Sequence, residues 1–232
     1  MVSIVIPTYN EKENIVLLVR QIYEVLSSQK ISYELIIVDD NSPDGTAVAI
    51  GKKFKQKNSI RLFVRKKKRG LATAILYGIG KARGNLIIGM DADLNHPPRL
   101  LPNLIGETER FDLIVASRFI KGGGMEEKPR YVFTYIFNLF LKHFLGFPTM
   151  DNMSGFYAMK KEKLLLLPVN KIYRGYGEYH LRLVYLAKKY GLKLKEIPVF
   201  YKKRNYGVSK TNLFKVFFNY LWVAINLRSG RI

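Results

Sequence analysis

Two pairs of acidic residues follow two apolar, strand-like segments of this chain. YELIIV runs into Asp39-Asp40, and NLIIGM runs into Asp91-Ala92-Asp93. Ligands of open α/β sheets bind in the crevice beyond the carboxyl ends of the strands. Because alternate residues of extended chain face the same way, Asp91 and Asp93 can reach one cation, and carboxylates suit Mg²⁺ or Mn²⁺ shared with substrate phosphates. The same pattern is also typical of turns and helix caps.

The acids are conspicuous because the chain is strongly basic. It holds 39 Lys+Arg against 18 Asp+Glu, a formal net charge of +21. Residues 52–69 contain ten basic residues and no acid. This charge predicts an anionic partner, namely nucleic acid, an anionic membrane surface or a phosphorylated small molecule, unless 52–69 is simply a solvated face. With 232 residues, 48% of them hydrophobic, the chain resembles an ordinary globular protein, and the lack of cysteine excludes disulfides and thiolate metal sites.

The first half of the chain alternates strand and helix patterns. We predict strands at 2–7, 33–38, 60–65, 85–90 and 111–116, and helices at 11–28, 44–56, 70–82 and 98–109. Several strands are continuously apolar, as expected when helices cover both faces of a parallel sheet. The pattern therefore predicts an α/β fold with a mostly parallel, doubly wound sheet and flanking helices.

The second half contains two aromatic-rich amphipathic segments, near 130–145 and 211–227. In the first, a polar residue recurs at every fourth position from Arg130 to Lys142, which forms one polar stripe on an otherwise apolar helix. Both segments are shorter than the roughly 20 apolar residues that a membrane span needs. Each could pack on the sheet as a core helix or lie at a membrane interface. Two such helices in one cationic chain favour peripheral membrane contact.

Six motifs then occur in one order. They are PTYNE at 7–11, VDDNSPDGT at 38–46, DADLNHPP at 91–98, ASRF at 116–119, MSGF at 153–156 and RNYGVSK at 204–210. Together they resemble the family 2 glycosyltransferases of GT-A fold and, among these, the dolichol-phosphate mannose synthases. The resemblance covers essentially the whole chain. It implies one domain over 1–232, with a nucleotide-sugar-binding half at 1–119 and an acceptor-binding half at 120–232.

The resemblance also implies a donor site for GDP-mannose. The residues expected to hold its nucleoside are Pro7, Tyr9, Glu11, Val38 and Asp40. Those expected to hold a divalent metal, Mg²⁺ or Mn²⁺, on its diphosphate are Asp91, Asp93 and Asn95, and Ala92 lines the same site. Further phosphate contacts are implied for Arg204 and Lys210.

The acceptor site implied by the resemblance binds a lipid phosphate through Arg118 and Arg130, with the hydroxyl of Thr134 beside them. An arginine fork donates two hydrogen bonds to a phosphate. One helix would thus bind the membrane on one face and the acceptor head group on the other. A phosphate monoester is ionised at neutral pH and is already a nucleophile, so no general base is required. We expect direct displacement with inversion, and catalytic roles for Asp93, Arg118 and Arg130.

The expected activity is transfer of mannose from GDP-mannose to dolichyl (polyprenyl) phosphate. The enzyme would act peripherally on the cytoplasmic side of a membrane, with or without a separate membrane anchor protein. One alternative is a related transferase that uses UDP-glucose or another nucleotide sugar. A more distant alternative is a nucleic-acid-binding protein built on RKKKRG, which leaves the ordered motifs unexplained. We expect no nucleic acid partner.

Two further residues have simpler interpretations than catalysis. Glu178 could act as an acid or base, but an acid at the start of a helix explains its place equally well. His96 precedes two prolines and is expected to be a turn residue.

Overall fold

A seven-stranded sheet forms the centre of the computed structural model, which describes residues 1–67, 69–202 and 213–231. The strands of the chain are β1 (Val2–Thr8), β2 (Tyr33–Asp39), β3 (Ile60–Val64), β4 (Leu86–Gly89), β5 (Leu113–Ser117), β6 (Gly124–Met125), β7 (Tyr157–Lys160), β8 (Leu194–Pro198) and β9 (Phe200–Tyr201). The main sheet has the order β3-β2-β1-β4-β7-β5-β8, and β6 pairs with β9 separately. Among the described strands of the main sheet, only β7 runs antiparallel to its neighbours, which confirms the mostly parallel arrangement.

Helices cover both faces of this sheet. They are α1 (Lys12–Ser28), α2 (Thr46–Phe54), α3 (Leu71–Lys81), α4 (Leu101–Glu107), α5 (Lys128–Leu145), α6 (Lys161–Leu165), α7 (Val169–Ile172), α8 (Tyr179–Lys189) and α9 (Leu213–Arg228). Buried residues of α1, α2 and α4 form the core on one face, and those of α3, α5, α8 and α9 form the core on the other. The doubly wound arrangement is therefore confirmed. The helix predicted at 98–109 begins as a 3₁₀ turn over Pro98–Leu100 before α4.

The continuously apolar strands are explained by this double cover. In β1, Ile4 and Ile6 face the core that contains α1, whereas Val5 between them faces the core that contains α3. Since successive side chains of a strand point to opposite faces, both sets must be apolar when both faces are buried.

The sheet gathers several loops at one edge. The carboxyl ends of β1 and β2 lie side by side, because Thr8 pairs in register with Asp39. Next to β1, β4 is parallel to it and ends just before Met90, so Asp91 emerges at the same edge. Because β7 is antiparallel, the segment that precedes it also lies at this edge, beside the end of β5 at Ser117.

Helices α5 and α9 pack against each other through aromatic rings. The ring of Phe137 lies 4.8 Å from that of Phe217, centroid to centroid. Each helix leaves large apolar side chains exposed, namely Val132, Phe133, Ile136 and Phe140 on α5 and Phe218, Trp222 and Ile225 on α9. Within the described ranges, no helix combines the length and hydropathy that crossing a membrane requires.

Gly89 in β4 gives a test of the packing between β4 and β7. A Cβ at this position would lie 2.3 Å from Cε1 of the fully buried Tyr157. We expect Gly89→Ala to lower the free energy of unfolding by about 1–3 kcal/mol, because a rigid ring in a packed core has nowhere to move. Denaturant unfolding measures this.

Gly80→Ala is the matched control. The space around a Cβ at Gly80, in α3, is open to 4 Å, so alanine should be neutral or stabilising by up to about 1 kcal/mol. Equal stability of both variants would contradict the packing described for Tyr157.

Candidate active site

A cleft of about 400 Å³ opens beyond the carboxyl ends of β1, β2 and β4. This volume lies within the usual range of small-molecule sites, about 300–1,000 Å³. Its walls contain most of the residues that the resemblance assigns to the donor, namely Pro7, Tyr9, Glu11, Asp40, Asp91, Ala92 and Asp93. We call it the donor cleft.

Val38 and Asp39 lie beneath the donor cleft. The side chain of Val38 is fully buried in the core, which leaves only its backbone for the nucleoside contact predicted from the resemblance. The Asp39 carboxylate accepts hydrogen bonds from the Thr8 hydroxyl (3.0 Å) and from the backbone N–H (2.9 Å) and hydroxyl (2.5 Å) of Ser42. Asp39 therefore organises the turn after β2.

Asp40 faces the donor cleft as half of an ion pair. Its carboxylate accepts hydrogen bonds from Nε (2.6 Å) and Nη2 (2.8 Å) of Arg65 and from the backbone N–H of Gly70 (2.7 Å). A carboxylate offers about four acceptor positions, so these bonds leave room for about one more. Arg65 was missed from the sequence because it lies in a run of basic residues, in which composition does not distinguish a paired arginine from solvated ones.

Arg69 lies over the rim of the donor cleft. Its Nη1 donates to the Tyr9 hydroxyl at 3.2 Å, and its guanidinium carbon lies 5.1 Å from the centroid of the Tyr9 ring. A cation at this rim suits a negatively charged ligand below it.

His96 positions Asp91. The backbone N–H of Asp91 donates to Nδ1 of His96 at 2.8 Å, so the proton of a neutral His96 lies on Nε2, 3.7 Å from Oδ2 of Asp91. The ring is buried and stacks on Phe156 with 4.7 Å between centroids. The expectation of a plain turn residue was thus incomplete, because a sequence does not show that this turn folds back onto the strand end.

The Asp93 carboxylate is held by Asn95. Oδ1 of Asp93 accepts the backbone N–H of Asn95 at 3.1 Å, and its Oδ2 accepts Nδ2 of Asn95 at 3.0 Å. Leu94, between them, has a φ of 66°, which closes this tight turn. Asn95 thus orients the Asp93 carboxylate through its N–H groups. The role predicted for its amide oxygen, as a metal ligand, stays a prediction.

The two aspartates fit a divalent cation that takes only one or two ligands from the protein. Within the described part of the chain, no three His, Asp or Glu side chains converge as a metal cage. Mg²⁺ commonly uses only one or two carboxylates and takes its other ligands from water and substrate phosphates. The Asp91 side chain is 38% exposed to the cleft, as such sharing requires.

A second cavity, of about 170 Å³, is lined by the same two aspartates. Four residues line both spaces, namely Leu71, Asp91, Asp93 and Tyr176. The walls of the second cavity also contain the residues predicted to bind the acceptor, namely Arg118, Arg130 and Thr134, together with Asn95. We call it the arginine cavity. The predicted sites for donor and acceptor therefore meet at Asp91 and Asp93.

Arg118 is buried against Asp151. Its Nε and Nη2 donate to the two carboxylate oxygens at 2.7 and 2.8 Å. Burial alone would lower the pKa of Arg118, but the adjacent carboxylate outweighs it and holds that pKa above its usual value. Burial would likewise raise the pKa of Asp151, but the charge and hydrogen bonds of Arg118 hold it below its usual value. Both groups are charged at neutral pH.

Arg130 is the more accessible of the two arginines. Its side chain is 33% exposed, and Nη1 lies 3.3 Å from Oε2 of Glu127. The Thr134 hydroxyl donates to the backbone carbonyl of Arg130 at 2.7 Å, so its oxygen can only accept from a ligand. Arg204 and Lys210, predicted to contact phosphates, lie outside the described residues.

Buried tyrosines complete the arginine cavity, and the sequence analysis missed them. Burial raises the pKa values of Tyr179, Tyr201 and Tyr220, so their hydroxyls stay protonated. The hydroxyls of Tyr179 and Tyr201 donate to the backbone carbonyls of Gly155 and Ser154, at 3.4 and 3.1 Å. Glu178 stands at the start of α8, the place that the simpler interpretation gave it, but it is buried and its side chain makes no capping hydrogen bond.

A family model described as "Glycosyl transferase family 2" matches residues 3–165 of the chain. The chain belongs to glycosyl transferase family 2. The resemblance that its ordered motifs indicated is therefore confirmed, and so is its assignment as an enzyme, a glycosyltransferase.

The names of three curated relatives of this glycosyltransferase refer to polyprenyl or dolichol phosphates or to polyprenol monophosphomannose. It is 34% identical over 225 residues to the "Dolichol-phosphate mannosyltransferase" of Pyrococcus furiosus, with 95% of this chain but only 61% of that protein covered. It is 32% identical to the "Polyprenol monophosphomannose synthase" of Mycolicibacterium smegmatis (89% and 79% covered). It is 29% identical to the "Undecaprenyl-phosphate mannosyltransferase" of Micrococcus luteus (89% and 85% covered).

Solved structures confirm the GT-A fold of this glycosyltransferase. The glucosyl-3-phosphoglycerate synthase of Mycobacterium tuberculosis, in complex with Mn²⁺, UDP and glucosyl-3-phosphoglycerate, superposes with a TM-score of 0.73. The match covers 99% of this chain and 80% of that chain at 18% sequence identity. At this identity the similarity concerns the fold alone.

A buried histidine lies close to the Arg118–Asp151 pair. His180 is inaccessible to solvent, and neither of its ring nitrogens has a hydrogen-bond partner within the described residues. Burial, above all, lowers its pKa to about 4; the charge of Asp151 opposes this, whereas His96 and Arg118 add to it. In the unfolded chain a histidine titrates near pH 6.5.

This lowered pKa predicts acid sensitivity. Because the unfolded chain binds the proton more tightly, the stabilisation from a neutral His180 is complete above about pH 6.5 and is lost as pH falls towards 4. We expect the melting temperature of His180→Leu to change less between pH 7 and pH 5 than that of the wild type. The exposed His143, changed to leucine, is the control and should keep the wild-type pH dependence. A His180→Leu profile parallel to the wild type would contradict the assignment.

Proposed function

We propose that this glycosyltransferase transfers mannose from GDP-mannose to a polyprenyl phosphate such as dolichyl phosphate, at the cytoplasmic surface of a membrane. One observation carries the proposal. Asp91 and Asp93 line both the donor cleft and the arginine cavity, so a nucleotide sugar on one side and a phosphate on the other would meet at the same carboxylates.

The relatives support the sugar and the acceptor. Two of the three names specify a mannosyltransferase of dolichol phosphate or undecaprenyl phosphate. The third specifies a synthase of polyprenol monophosphomannose. The nucleotide is supported by the motif resemblance, which implies GDP-mannose. UDP-glucose remains the competing donor, because the superposed synthase was crystallised with UDP, although only its fold is shared.

Asp91 and Asp93 are the residues that would hold Mg²⁺ or Mn²⁺. When bound, such a cation neutralises charge on the diphosphate leaving group. The protein's own contribution is to place these residues: His96 holds the backbone of Asp91, and Asn95 orients the Asp93 carboxylate.

The acceptor supplies its own nucleophile. An oxygen of the lipid phosphate attacks the anomeric carbon while the bond from that carbon to the diphosphate oxygen breaks, and the electron pair leaves with the nucleoside diphosphate. The anomeric carbon is inverted, and no protein base takes a proton. The arginine cavity contributes by positioning the acceptor phosphate and by supplying positive charge beside it. Arg130 is better placed to meet the phosphate, because the Nε and Nη2 groups of Arg118 already bond to Asp151.

The apolar surface of α5 and α9 supports a peripheral membrane contact. Its exposed side chains include Phe133, Ile136, Phe218 and Trp222. Contiguous apolar surface of this kind marks an interaction site, and aromatic side chains of interfacial helices lie at headgroup depth. The polar stripe of α5 faces inwards, with Thr134 in the arginine cavity. The helix would therefore bring that cavity close to the lipid surface.

The choice of donor can be measured by thermal shift. We expect GDP with Mn²⁺ to raise the melting temperature more than UDP with Mn²⁺ does, by mass-action stabilisation of about 2.7 kcal/mol when the ligand is at 100 times its Kd. Asp93→Asn should lose the metal-dependent part of the shift, since it removes a charged ligand. Glu109→Gln removes an exposed acid elsewhere and should keep it. A rise in melting temperature with UDP and Mn²⁺ but not with GDP and Mn²⁺ would exclude GDP-mannose as the donor.

Membrane contact can be measured by flotation with phosphatidylcholine/phosphatidylglycerol vesicles. We expect Phe133→Ser combined with Trp222→Ser to weaken vesicle binding at least about tenfold. Each substitution removes an aromatic side chain whose burial in the membrane contributes to the binding free energy. Leu165→Ser with Leu166→Ser is the matched control. These two leucines are also exposed. Leu165 ends α6 and Leu166 follows it, next to the end of β7 that is remote from the donor cleft. Equal loss in both double variants would contradict the proposed membrane face.

A further inference from the structure

Helix α5 carries a buried amide that lines neither the donor cleft nor the arginine cavity. Asn138 is fully buried, about two helical turns after Arg130. Its Nδ2 donates to the backbone carbonyl of Thr134 at 2.9 Å, and its Oδ1 accepts the backbone N–H of Asn152 at 2.8 Å. One side chain thus joins the helix that carries Arg130 to the loop at residues 149–152.

The same loop holds Arg118. The Asp151 carboxylate accepts hydrogen bonds from Nε, Nη2 and the backbone N–H of Arg118, at 2.7, 2.8 and 3.0 Å. The backbone N–H groups of Met150 and Asp151 donate in turn to Glu196 on β8, at 2.8 and 2.9 Å. The loop is therefore fixed to the sheet on one side and to α5, through Asn138, on the other.

We propose that Asn138 is a positioning residue that sets the spacing between Arg118 and Arg130. The two arginines belong to different elements, one after β5 and one on α5, yet both line the arginine cavity. A phosphate held by two arginines requires both at a fixed separation, and a displacement of about 1 Å can cost on the order of 100-fold in rate. The identity of the ligand as a lipid phosphate rests on the proposed function; the link between α5 and the loop does not.

Asparagine has the chemistry that this link needs. Its amide donates on one side and accepts on the other. Leucine has a similar size but would leave the buried N–H of Asn152 without an acceptor. Aspartate keeps the acceptor but loses the donor to Thr134, and serine can keep the bond to Thr134 but is too short to reach Asn152.

A double-mutant cycle on stability tests the link directly. We expect the effects of Asn138→Leu and Asp151→Asn on unfolding to be non-additive, because both act on one loop. Leu145→Ala, a buried change further along α5 without a bond to the loop, should be additive with Asp151→Asn. If Asn138→Leu does not fold, Asn138→Ser replaces it in the cycle. Additivity for the Asn138 pair would overturn the proposal.

Steady-state kinetics tests the consequence for the cavity. With polyprenyl phosphate as acceptor, Asn138→Leu should raise the acceptor KM roughly tenfold and leave the donor KM unchanged, as expected for displaced phosphate ligands. Asn138→Asp should restore part of the acceptor KM. Leu145→Ala should lower stability and leave the acceptor KM unchanged. An unchanged acceptor KM in Asn138→Leu, or an equal rise in Leu145→Ala, would overturn the positioning role. Absence of transfer by the wild type would refute the proposed function alone, and the cycle would still decide the link.

Discussion

The buried ion pair between Arg118 and Asp151 is the contact on which the arrangement of the site depends. Asp151 is inaccessible to solvent and Arg118 is nearly so, and each charge is stable there because the other lies within hydrogen-bond distance. Removing one partner from such a pair typically costs about 3–5 kcal/mol, since the other is left buried and uncompensated. The pair fixes the loop before β7 against the end of β5. That loop, through Asn138, in turn fixes the helix that carries Arg130.

The distribution of charge explains how a strongly cationic protein keeps acids at its centre. Asp40 is neutralised by Arg65, and Asp151 by Arg118. Asp91 and Asp93 lie in the wall shared by the two cavities, where a buried histidine holds the Asp91 backbone and an asparagine amide orients the Asp93 carboxylate. Asp151 thus belongs to the framework of the site, whereas Asp40, Asp91 and Asp93 line the donor cleft. Arginine supplies the charge for both the framework and the predicted acceptor site.

The fold could be predicted from the sequence because its signals are local. Continuous apolar runs identified the strands, and those predicted over 2–7 and 33–38 match β1 and β2 to within one residue. Since parallel strands end at one edge, the acids after β2 and β4 had to approach each other. Family membership followed from motifs whose order is visible in the chain. The roles assigned to individual site residues stay predictions.

Contacts between distant segments could not be predicted in this way. Asp39 and Asp40 are adjacent in sequence, but one organises a turn and the other pairs with Arg65, which lies 25 residues beyond Asp40 in the chain. Asp151 precedes a motif without belonging to it, and only the antiparallel β7 brings it to Arg118. His96 and the buried tyrosines carry no sequence spacing that distinguishes them from core residues. In each case the partner is chosen by tertiary packing, which periodicity does not encode.

The most direct test of the account is the partition of radiolabel between water and organic solvent. Purified protein would be incubated with Mn²⁺, polyprenyl phosphate and either radiolabelled GDP-mannose or radiolabelled UDP-glucose, and the label in the organic phase counted. The account predicts label in that phase from GDP-mannose, only when the polyprenyl phosphate is present. Label from UDP-glucose alone, or transfer that does not require the lipid phosphate, would contradict it.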